Sequence, residues 1–225
     1  MVFPRQIKAV IFDIDGLLFD TEALFFEAMT AAADEQGCNI DKPFFLSLLG
    51  GNRDFNYLKM RERFGASFPA EQFHALCTTH MHKRLYTDLR TKLGVFEIIK
   101  TVKDAGLRCA IATSSLRENV ERHLSQFKMQ SLFDCVVANG DYRHGKPHPE
   151  PYLTAARLLG LDPQSCLALE DSYNGVRSAS SAGMMTIMVP DLLPATPEMV
   201  GLCAAIVEDL LVANVLLRDA LHRSL

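Results

Sequence analysis

The sequence lacks the features by which several classes of protein are recognised. In its 225 residues, no apolar run approaches the roughly 20 residues that a membrane-spanning helix needs. The first apolar stretch is short and is interrupted by Lys8 and Asp13, so we expect neither a membrane span nor a signal peptide. The formal net charge of -4 gives no reason to expect nucleic acid as a partner.

Cysteine pairs at the CxxC spacing are also missing. The six cysteines are scattered, and several of them, such as Cys109 and Cys166, lie inside apolar segments with strand character. This pattern is typical of reduced core residues, and we expect a monomeric, cytoplasmic protein. Repeats and low-complexity tracts are absent, and the length suits one domain with a smaller insertion.

The sequence does contain a pair of carboxylates near its N-terminus. Asp13 directly follows the mainly apolar residues 7–12, and Asp15, two residues later, directly precedes Gly16. Side chains at positions i and i+2 of an extended segment point to the same side, so two like charges meet where the chain must turn. Such a pair is costly unless it binds a divalent cation, or unless one carboxyl stays protonated as an acid. This arrangement predicts an active site.

Two later apolar segments also end in oxygen-bearing side chains. Residues 107–112 run into Thr113, and residues 166–169 run into Glu170 and Asp171. Helical patterns lie between these segments, which predicts an α/β fold with a parallel sheet and helices on both faces. Ligands of such sheets bind beyond the carboxyl ends of the strands, where these side chains should gather. Carboxylate oxygens favour Mg²⁺ over zinc, and such a site suggests phosphate chemistry.

The string DIDGLLFDTE at residues 13–22 resembles the first motif of the haloacid-dehalogenase-like hydrolases. That superfamily is dominated by Mg²⁺-dependent phosphatases and phosphomutases. Its later motifs are a Thr or Ser that closes a strand, a Lys often followed by Pro, and an acidic pair after another strand. The chain has these motifs in the same order, at Thr113, Lys146 and Glu170-Asp171. The resemblance spans residue 7 to about residue 190 and implies a Rossmann-like, doubly wound parallel sheet.

The resemblance also implies catalytic and metal-binding roles. Asp13 would be the nucleophile that forms an aspartyl phosphate. Asp15 would protonate the leaving alkoxide and then accept a proton from the attacking water. Mg²⁺ would be held by Asp13, by the backbone carbonyl of Asp15 and by Asp171, with Glu170 assisting through the water shell of the ion.

Phosphate binding would fall to Thr113, the amide of Ser114 and Lys146, which would hold the phosphoryl oxygens. From the residues alone, plainer alternatives remain. The hydroxyl residues after the second strand could cap a helix that starts near Leu116, and Glu170 with its neighbours could cap another helix.

The segment between the first motif and residue 88 has helical patterns and no convincing strand. It resembles the helical cap that closes over the site in the phosphoglucomutase-like branch of the family and selects the substrate. We therefore predict a catalytic core of residues 1–19 and 88–225 and a cap of residues 20–87. The helical patterns lie at residues 22–36, 54–64 and 70–86.

Two cap positions bear on the reaction. In β-phosphoglucomutases a cap His assists proton transfer at the sugar hydroxyl, but the matching residue here is Phe25, which cannot act as an acid or base. Arg53, in the segment Gly50–Arg53, matches a cap Arg that contacts a second polar group of the substrate, although a solvated arginine at a helix N-terminus explains it equally well.

These features predict a Mg²⁺-dependent phosphatase that acts on a small phosphorylated metabolite, a sugar phosphate or a similar polyol phosphate. Two alternatives are a sugar phosphomutase of the phosphoglucomutase type and a non-catalytic binding protein on the same fold. The substrate itself depends on the geometry of the cap, because a fold does not fix a function.

Overall fold

The computed structural model describes residues 3–49 and 53–222. The chain forms two compact units, one built from Met1–Phe19 with Thr91–Leu225 and the other from Asp20–Arg90. The segment 20–87, which the sequence patterns assign to a cap, lies within the second unit. Its role as a cap stays a prediction.

The first unit contains a parallel sheet that has six strands within the described residues. The order across the sheet is β3-β2-β1-β4-β5-β6, and every neighbouring pair is parallel. This is the strand order of doubly wound, Rossmann-like folds, so the predicted fold class is confirmed. The strands are β1 (Ala9–Phe12), β2 (Arg108–Leu116), β3 (Cys135–Asn139), β4 (Cys166–Glu170), β5 (Met185–Met188) and β6 (Ala205–Ile206).

The second unit is helical, and its described residues contain no strand. Its helices are α1 (Thr21–Glu35), α2 (Lys42–Leu48), α3 (Arg53–Phe64) and α4 (Ala70–Thr87). The sequence patterns predict α1, α3 and α4 but miss α2, which has only seven residues. This helix depends on its N-terminus, where the Asp41 side chain accepts a hydrogen bond from the Phe44 amide at 2.8 Å and Pro43 occupies the first turn.

Helices also surround the sheet in the first unit. They are α5 (Val95–Asp104), α6 (Arg117–Gln126), α7 (Glu150–Leu159), α8 (Tyr173–Ser181), α9 (Pro197–Leu202) and α10 (Leu210–His222). Among the described helices of both units, none has the length and apolar character that crossing a membrane requires.

The central strand β1 is buried along its whole length. Ala9 and Ile11 pack in one core cluster with Tyr152 of α7 and Ala179 of α8. Side chains alternate along a strand, so Phe12 points to the opposite face, where its ring meets that of Phe133 edge to face at 6.1 Å. Because apolar side chains cover both faces of this strand, polar groups that follow it emerge at the carboxyl end of the sheet.

Candidate active site

The sheet register brings the ends of neighbouring strands together. Phe12 at the end of β1 pairs with Ile111 of β2 and with Leu169 of β4. Asp13 therefore emerges beside Glu170, and its amide donates a hydrogen bond to the carbonyl of Leu169 at 3.0 Å. Asp13 is only 6% exposed, so an ionisable carboxyl group is buried at this edge.

Lys146 supplies the buried cation of the site. Its Nζ lies 2.5 Å from Oδ1 of Asp13 and 2.5 Å from Oε1 of Glu170, and its side chain is only 6% exposed. The same nitrogen lies 5.1 Å from the ring centre of Tyr152, within the range of a cation–π contact. The sequence places Lys146 in a Lys-Pro pair far from either carboxylate, and the structure brings all three groups into contact.

Glu170 is fully buried, and both of its carboxylate oxygens are satisfied. Oε1 accepts hydrogen bonds from Lys146 and from the Tyr152 hydroxyl, the latter at 2.9 Å. Oε2 accepts from the amides of Asp171 and Ser172 and from the Ser172 hydroxyl, each at 3.0 Å. Burial alone would raise the pKa of Glu170, but the charge of Lys146 and the hydrogen bonds from Lys146, Ser172 and Tyr152 together outweigh burial and lower it. Glu170 is thus a fixed anion that orients Lys146.

Tyr152 and Gly175 support Glu170, and the sequence motifs identify neither of them. Tyr152 lies on α7 and is completely buried. Gly175 lies on α8, and a Cβ placed there would overlap the carboxylate of Glu170. The sequence does suggest that a helix begins near Gly175, because Ser172 is a typical N-cap residue. In the structure its side chain accepts a hydrogen bond from the Gly175 amide at 3.1 Å. No local pattern links Tyr152 to its partner.

The carboxylates of the site act on one another electrostatically. Burial raises the pKa of Asp13 to about 7; Lys146 opposes this shift, whereas the charges of Glu170 and Asp15 add to it. Burial would also lower the pKa of Lys146, but Asp13 and Glu170 outweigh it and hold that pKa well above its ordinary value. Lys146 therefore stays charged, and a further cation beside Asp13 would favour ionisation of its carboxyl.

The arrangement of carboxylates fits a hard divalent cation. Asp13, Glu170 and Asp171 each offer a carboxylate oxygen, and these oxygens lie within 4.8 Å of one another. The turn at Gly16 has a positive φ of 77°, and a Cβ there would overlap the Asp171 carboxylate. A glycine is therefore required on both counts. Oxygen donors of this type suit Mg²⁺.

The end of β2 supplies hydroxyl groups on the strand next to β1. Thr113 is 1% exposed, and its Oγ1 accepts the amide of Ser115 at 3.1 Å. Ser114 is exposed. The Ser115 hydroxyl donates to Oδ2 of Asp15, a contact that the sequence motifs do not predict because the two residues are 100 positions apart. Ser115 therefore orients Asp15.

The two predicted cap residues lie in the second unit. The Phe25 ring on α1 packs against Phe45, with ring centres 5.8 Å apart. Arg53 is the exposed first residue of α3 and lines a cleft of about 550 Å³ together with Tyr57 and Arg61. Residues 50–52 of the predicted segment lie outside the described residues. The contribution of Phe25 and Arg53 to substrate binding stays a prediction.

Comparison with protein families identifies the chain. The model of the family described as haloacid dehalogenase-like hydrolase matches residues 10–189. The chain belongs to the haloacid dehalogenase-like hydrolase family. This match spans all four motifs on which the resemblance was based, so the predicted family is confirmed.

Relatives of this family member include curated phosphatases. Hexitol phosphatase B of Escherichia coli is 34% identical over 192 residues, which are 84% of this chain and 86% of that protein. The phosphorylated carbohydrates phosphatase of Thermotoga maritima is 31% identical over 181 residues, which are 80% of this chain and 83% of that protein.

Solved structures of the family share its fold. CbbY from Rhodobacter sphaeroides, solved in complex with phosphate, is 28% identical with a TM-score of 0.71, over 91% of this chain and 95% of that one. β-Phosphoglucomutase from Clostridium difficile is 22% identical with a TM-score of 0.73, over 97% of this chain and 99% of that one. At this identity the mutase shows likeness of fold alone.

Proposed function

We propose that this protein is a Mg²⁺-dependent phosphatase that hydrolyses a small phosphate monoester, a sugar or polyol phosphate, through an aspartyl phosphate on Asp13. The observation that carries the proposal is the contact of the buried Lys146 ammonium with both Asp13 and Glu170 at the carboxyl edge of the sheet. A fixed cation beside a carboxylate nucleophile suits an anionic phosphoryl group. The chain is a phosphoric monoester hydrolase, as its family and its phosphatase relatives support.

Metal binding is assigned to the carboxylates of Asp13 and Asp171 and to the backbone carbonyl of Asp15. When bound, Mg²⁺ would neutralise charge on the phosphoryl oxygens and polarise the phosphorus. Glu170 would assist metal binding through the water shell of the ion and not as a direct ligand. Its oxygens already accept five hydrogen bonds from Lys146, Tyr152, Asp171 and Ser172. Its main task in this proposal is to hold Lys146.

In the first chemical step, a carboxylate oxygen of Asp13 attacks phosphorus while the bond from phosphorus to the substrate oxygen breaks. Asp15 transfers its proton to the departing alkoxide, so the product leaves as an alcohol. The Ser115 hydroxyl, which is bonded to Oδ2 of Asp15, keeps this carboxyl oriented. Proximity of the two carboxylates follows from their i and i+2 positions after β1.

In the second step, water attacks the phosphorus of the aspartyl phosphate. Asp15, now ionised, accepts a proton from this water, and the bond between phosphorus and the Asp13 oxygen breaks. The step regenerates both carboxyl groups in their starting protonation states and releases inorganic phosphate. Throughout both steps the Thr113 hydroxyl, the Ser114 amide and Lys146 would bind the phosphoryl oxygens.

The substrate class is proposed from the relatives and from the second unit. The names of two relatives, hexitol phosphatase B and the phosphorylated carbohydrates phosphatase, state that they act on phosphorylated polyols or sugars. Phe25 offers no acid or base for a sugar hydroxyl, which favours transfer to water over transfer to a second sugar. Cytoplasmic location, a monomeric state and the lack of a nucleic-acid partner stay predictions of the sequence.

The test is a screen of phosphorylated metabolites for released phosphate, with Mg²⁺ and with excess chelator. We expect Mg²⁺-dependent release from hexose, pentose or hexitol phosphates and much slower release from nucleotides. An Asp13→Asn protein, prepared in parallel, controls for contaminating phosphatases. Failure to hydrolyse any sugar phosphate or a generic aryl phosphate would overturn the proposal and favour a non-catalytic binding protein.

A further inference from the structure

Three side chains with metal-binding atoms lie together outside the carboxylate site. His144, His148 and Glu150 each offer a ligand atom, and these atoms lie within 4.8 Å of one another. His144 Nδ1 is 2.9 Å and His148 Nδ1 is 3.9 Å from the same Glu150 oxygen, Oε2. The two imidazole rings lie side by side, with centres 4.7 Å apart. We propose that these three residues form a binding site for a transition-metal ion of the Zn²⁺ type.

The donor set distinguishes this cluster from the carboxylate site. Two imidazoles and one carboxylate suit Zn²⁺, Cu²⁺ or Ni²⁺, whereas Mg²⁺ prefers oxygen ligands alone. Three protein ligands leave a fourth tetrahedral position open to water or to another donor. Because the two sites differ in ligand chemistry, they should respond differently to the two classes of ion.

Glu150 is held in place before any ion binds. Its Oε1 accepts the amide of Arg143 and its Oε2 accepts the amide of His144, each at 3.0 Å. These two bonds from backbone amides fix the position of the carboxylate. Glu150 therefore presents a fixed carboxylate within reach of both imidazole rings.

The two histidines can reach an ion by side-chain rotation. Their side chains are 66% and 50% exposed, so little packing opposes such movement. Nδ1 of His148 accepts the Glu150 amide at 3.2 Å, and Nδ1 of His144 is hydrogen-bonded to Oε2 of Glu150, so both nitrogens would exchange these bonds for bonds to the ion. Tetrahedral coordination at bonds of about 2.0–2.1 Å sets ligand atoms about 3.3–3.4 Å apart. The observed separations of 2.9 and 3.9 Å bracket that spacing.

Binding should tighten the segment that carries Lys146. His144 and His148 flank Lys146 in the sequence, and Glu150 begins α7, so a shared ion would link the loop to the helix. An ion that binds only the folded state stabilises it. The inference does not depend on the proposed phosphatase activity, since binding and stability are measured without substrate.

The test is equilibrium dialysis of untagged protein against Zn²⁺ in the presence of excess Mg²⁺, followed by metal analysis of the protein. The parent is compared with the variants His144→Ala and His148→Ala. We expect micromolar binding by the parent and an affinity lower by about tenfold or more in each variant. The matched control is His80→Ala, because His80 also lies 2.9 Å from a glutamate, Glu35, but is not part of a three-residue cluster among the described residues. This control should bind Zn²⁺ as the parent does.

Two further readouts identify the ligands. In excess Mg²⁺, Zn²⁺ should raise the melting temperature of the parent but not that of a protein carrying both His144→Ala and His148→Ala. Bound Co²⁺ should show tetrahedral visible bands without the near-ultraviolet absorption of thiolate ligation. Unchanged Zn²⁺ affinity in both histidine variants, or a thiolate signal from any of the six free cysteines, would overturn the proposal.

Discussion

Gly175 lies against Glu170 so closely that a Cβ at position 175 would overlap both carboxylate oxygens. Glu170 cannot move aside, because it is fully buried and both of its oxygens accept hydrogen bonds. Glu170 can therefore occupy its position only because residue 175 is a glycine. Since Glu170 in turn holds Lys146, the position of Lys146 also depends on this glycine.

Gly175→Ala should consequently destabilise the fold and the site together. Forcing a methyl group into a packed, charged region costs about 1–3 kcal/mol, which corresponds to a melting temperature lower by about 2–12 °C for a chain of this size. We expect kcat/KM to fall by more than about tenfold, because Lys146 loses its oriented partner.

Gly201→Ala is the matched control for that substitution. Gly201 also lies in a helix, α9, but a Cβ there would meet nothing within 4 Å. Alanine at this position should be neutral or slightly stabilising. Equal melting temperatures for Gly175→Ala and the parent would show that the close approach of Gly175 to Glu170 is not a constraint.

Asp13→Asn should abolish turnover while leaving the fold intact. The amide has nearly the shape of the carboxylate but cannot attack phosphorus, and Lys146 keeps its bond to Glu170. Loss of a nucleophile removes several kcal/mol of transition-state stabilisation, so kcat should fall by far more than tenfold. Circular dichroism and melting curves check the fold, and retention of activity within about tenfold of the parent would refute the role of Asp13.

The same substitution gives a test of the electrostatics. An unfolded Asp13 ionises above its ordinary pKa of 3.8, whereas burial keeps the folded residue protonated up to a pKa of about 7. Between these values unfolding releases a proton, so this residue lowers the stability of the folded state as the pH rises, and the loss is complete above about 7. The amide of the Asp13→Asn variant cannot ionise, so the stability of the variant does not fall with pH for this reason.

Without Mg²⁺, we therefore expect the stability advantage of Asp13→Asn over the parent to be absent at acidic pH and to grow toward neutral pH. Thermal melts across this range measure it, with Asp219→Asn, at an exposed position of α10, as the control. An advantage that shrinks as the pH rises would contradict the effect of burial.

Much of this site could be predicted from the sequence because its predicted catalytic and ligand-binding groups directly follow apolar segments. Asp13, Thr113 and Glu170 each stand at or next to the end of an apolar segment, and parallel strands bring such ends together. Their order along the chain and the surrounding motif were enough to predict the family. In a fold that binds its ligands at the carboxyl ends of the strands, the sequence patterns that identify the strands therefore also locate the site.

Other parts of the structure could not be predicted, because the local sequence carries little information about them. β5 and β6 have four and two residues, and apolar runs of that length have no period that separates a strand from a buried helix. Tyr152 follows the pattern of an ordinary core residue, and only the packing of α7 on the sheet directs its hydroxyl to Glu170. The bond from Ser115 to Asp15 likewise exists only in the folded chain.

Metal exchange tests the carboxylate site. Activity should require Mg²⁺, because Asp13 and Asp171 offer hard oxygen ligands and because a further cation beside the buried Asp13 would favour ionisation of its carboxyl at neutral pH. Ca²⁺ should inhibit, since its longer and more variable coordination disturbs the in-line attack. Phosphate release is measured with each ion after chelation, and full activity in excess chelator would exclude a metal-dependent reaction.

The choice between hydrolase and mutase depends on what can activate the attacking hydroxyl. In the proposed mechanism Asp15 alone would deprotonate a small, mobile water, whereas a sugar hydroxyl would also have to be oriented and activated from the predicted cap, where Phe25 has no proton to exchange. We therefore expect the parent to release phosphate from hexose 6-phosphates without forming isomers, even when a bisphosphate primer is supplied. NMR of the product mixture measures both outcomes.

Phe25→His extends this test to the residue itself. The substitution introduces an acid or base at the position where β-phosphoglucomutases carry one, and it removes a ring that packs on Phe45, so the melting temperature must be compared first. If Arg53 holds the distal end of the substrate, the folded variant should show more isomer exchange than the parent, and Arg53→Ala should cancel that gain. Efficient exchange by the unmodified protein would instead show that Phe25 does not exclude mutase chemistry, since Asp15 would then suffice to activate a bound sugar hydroxyl.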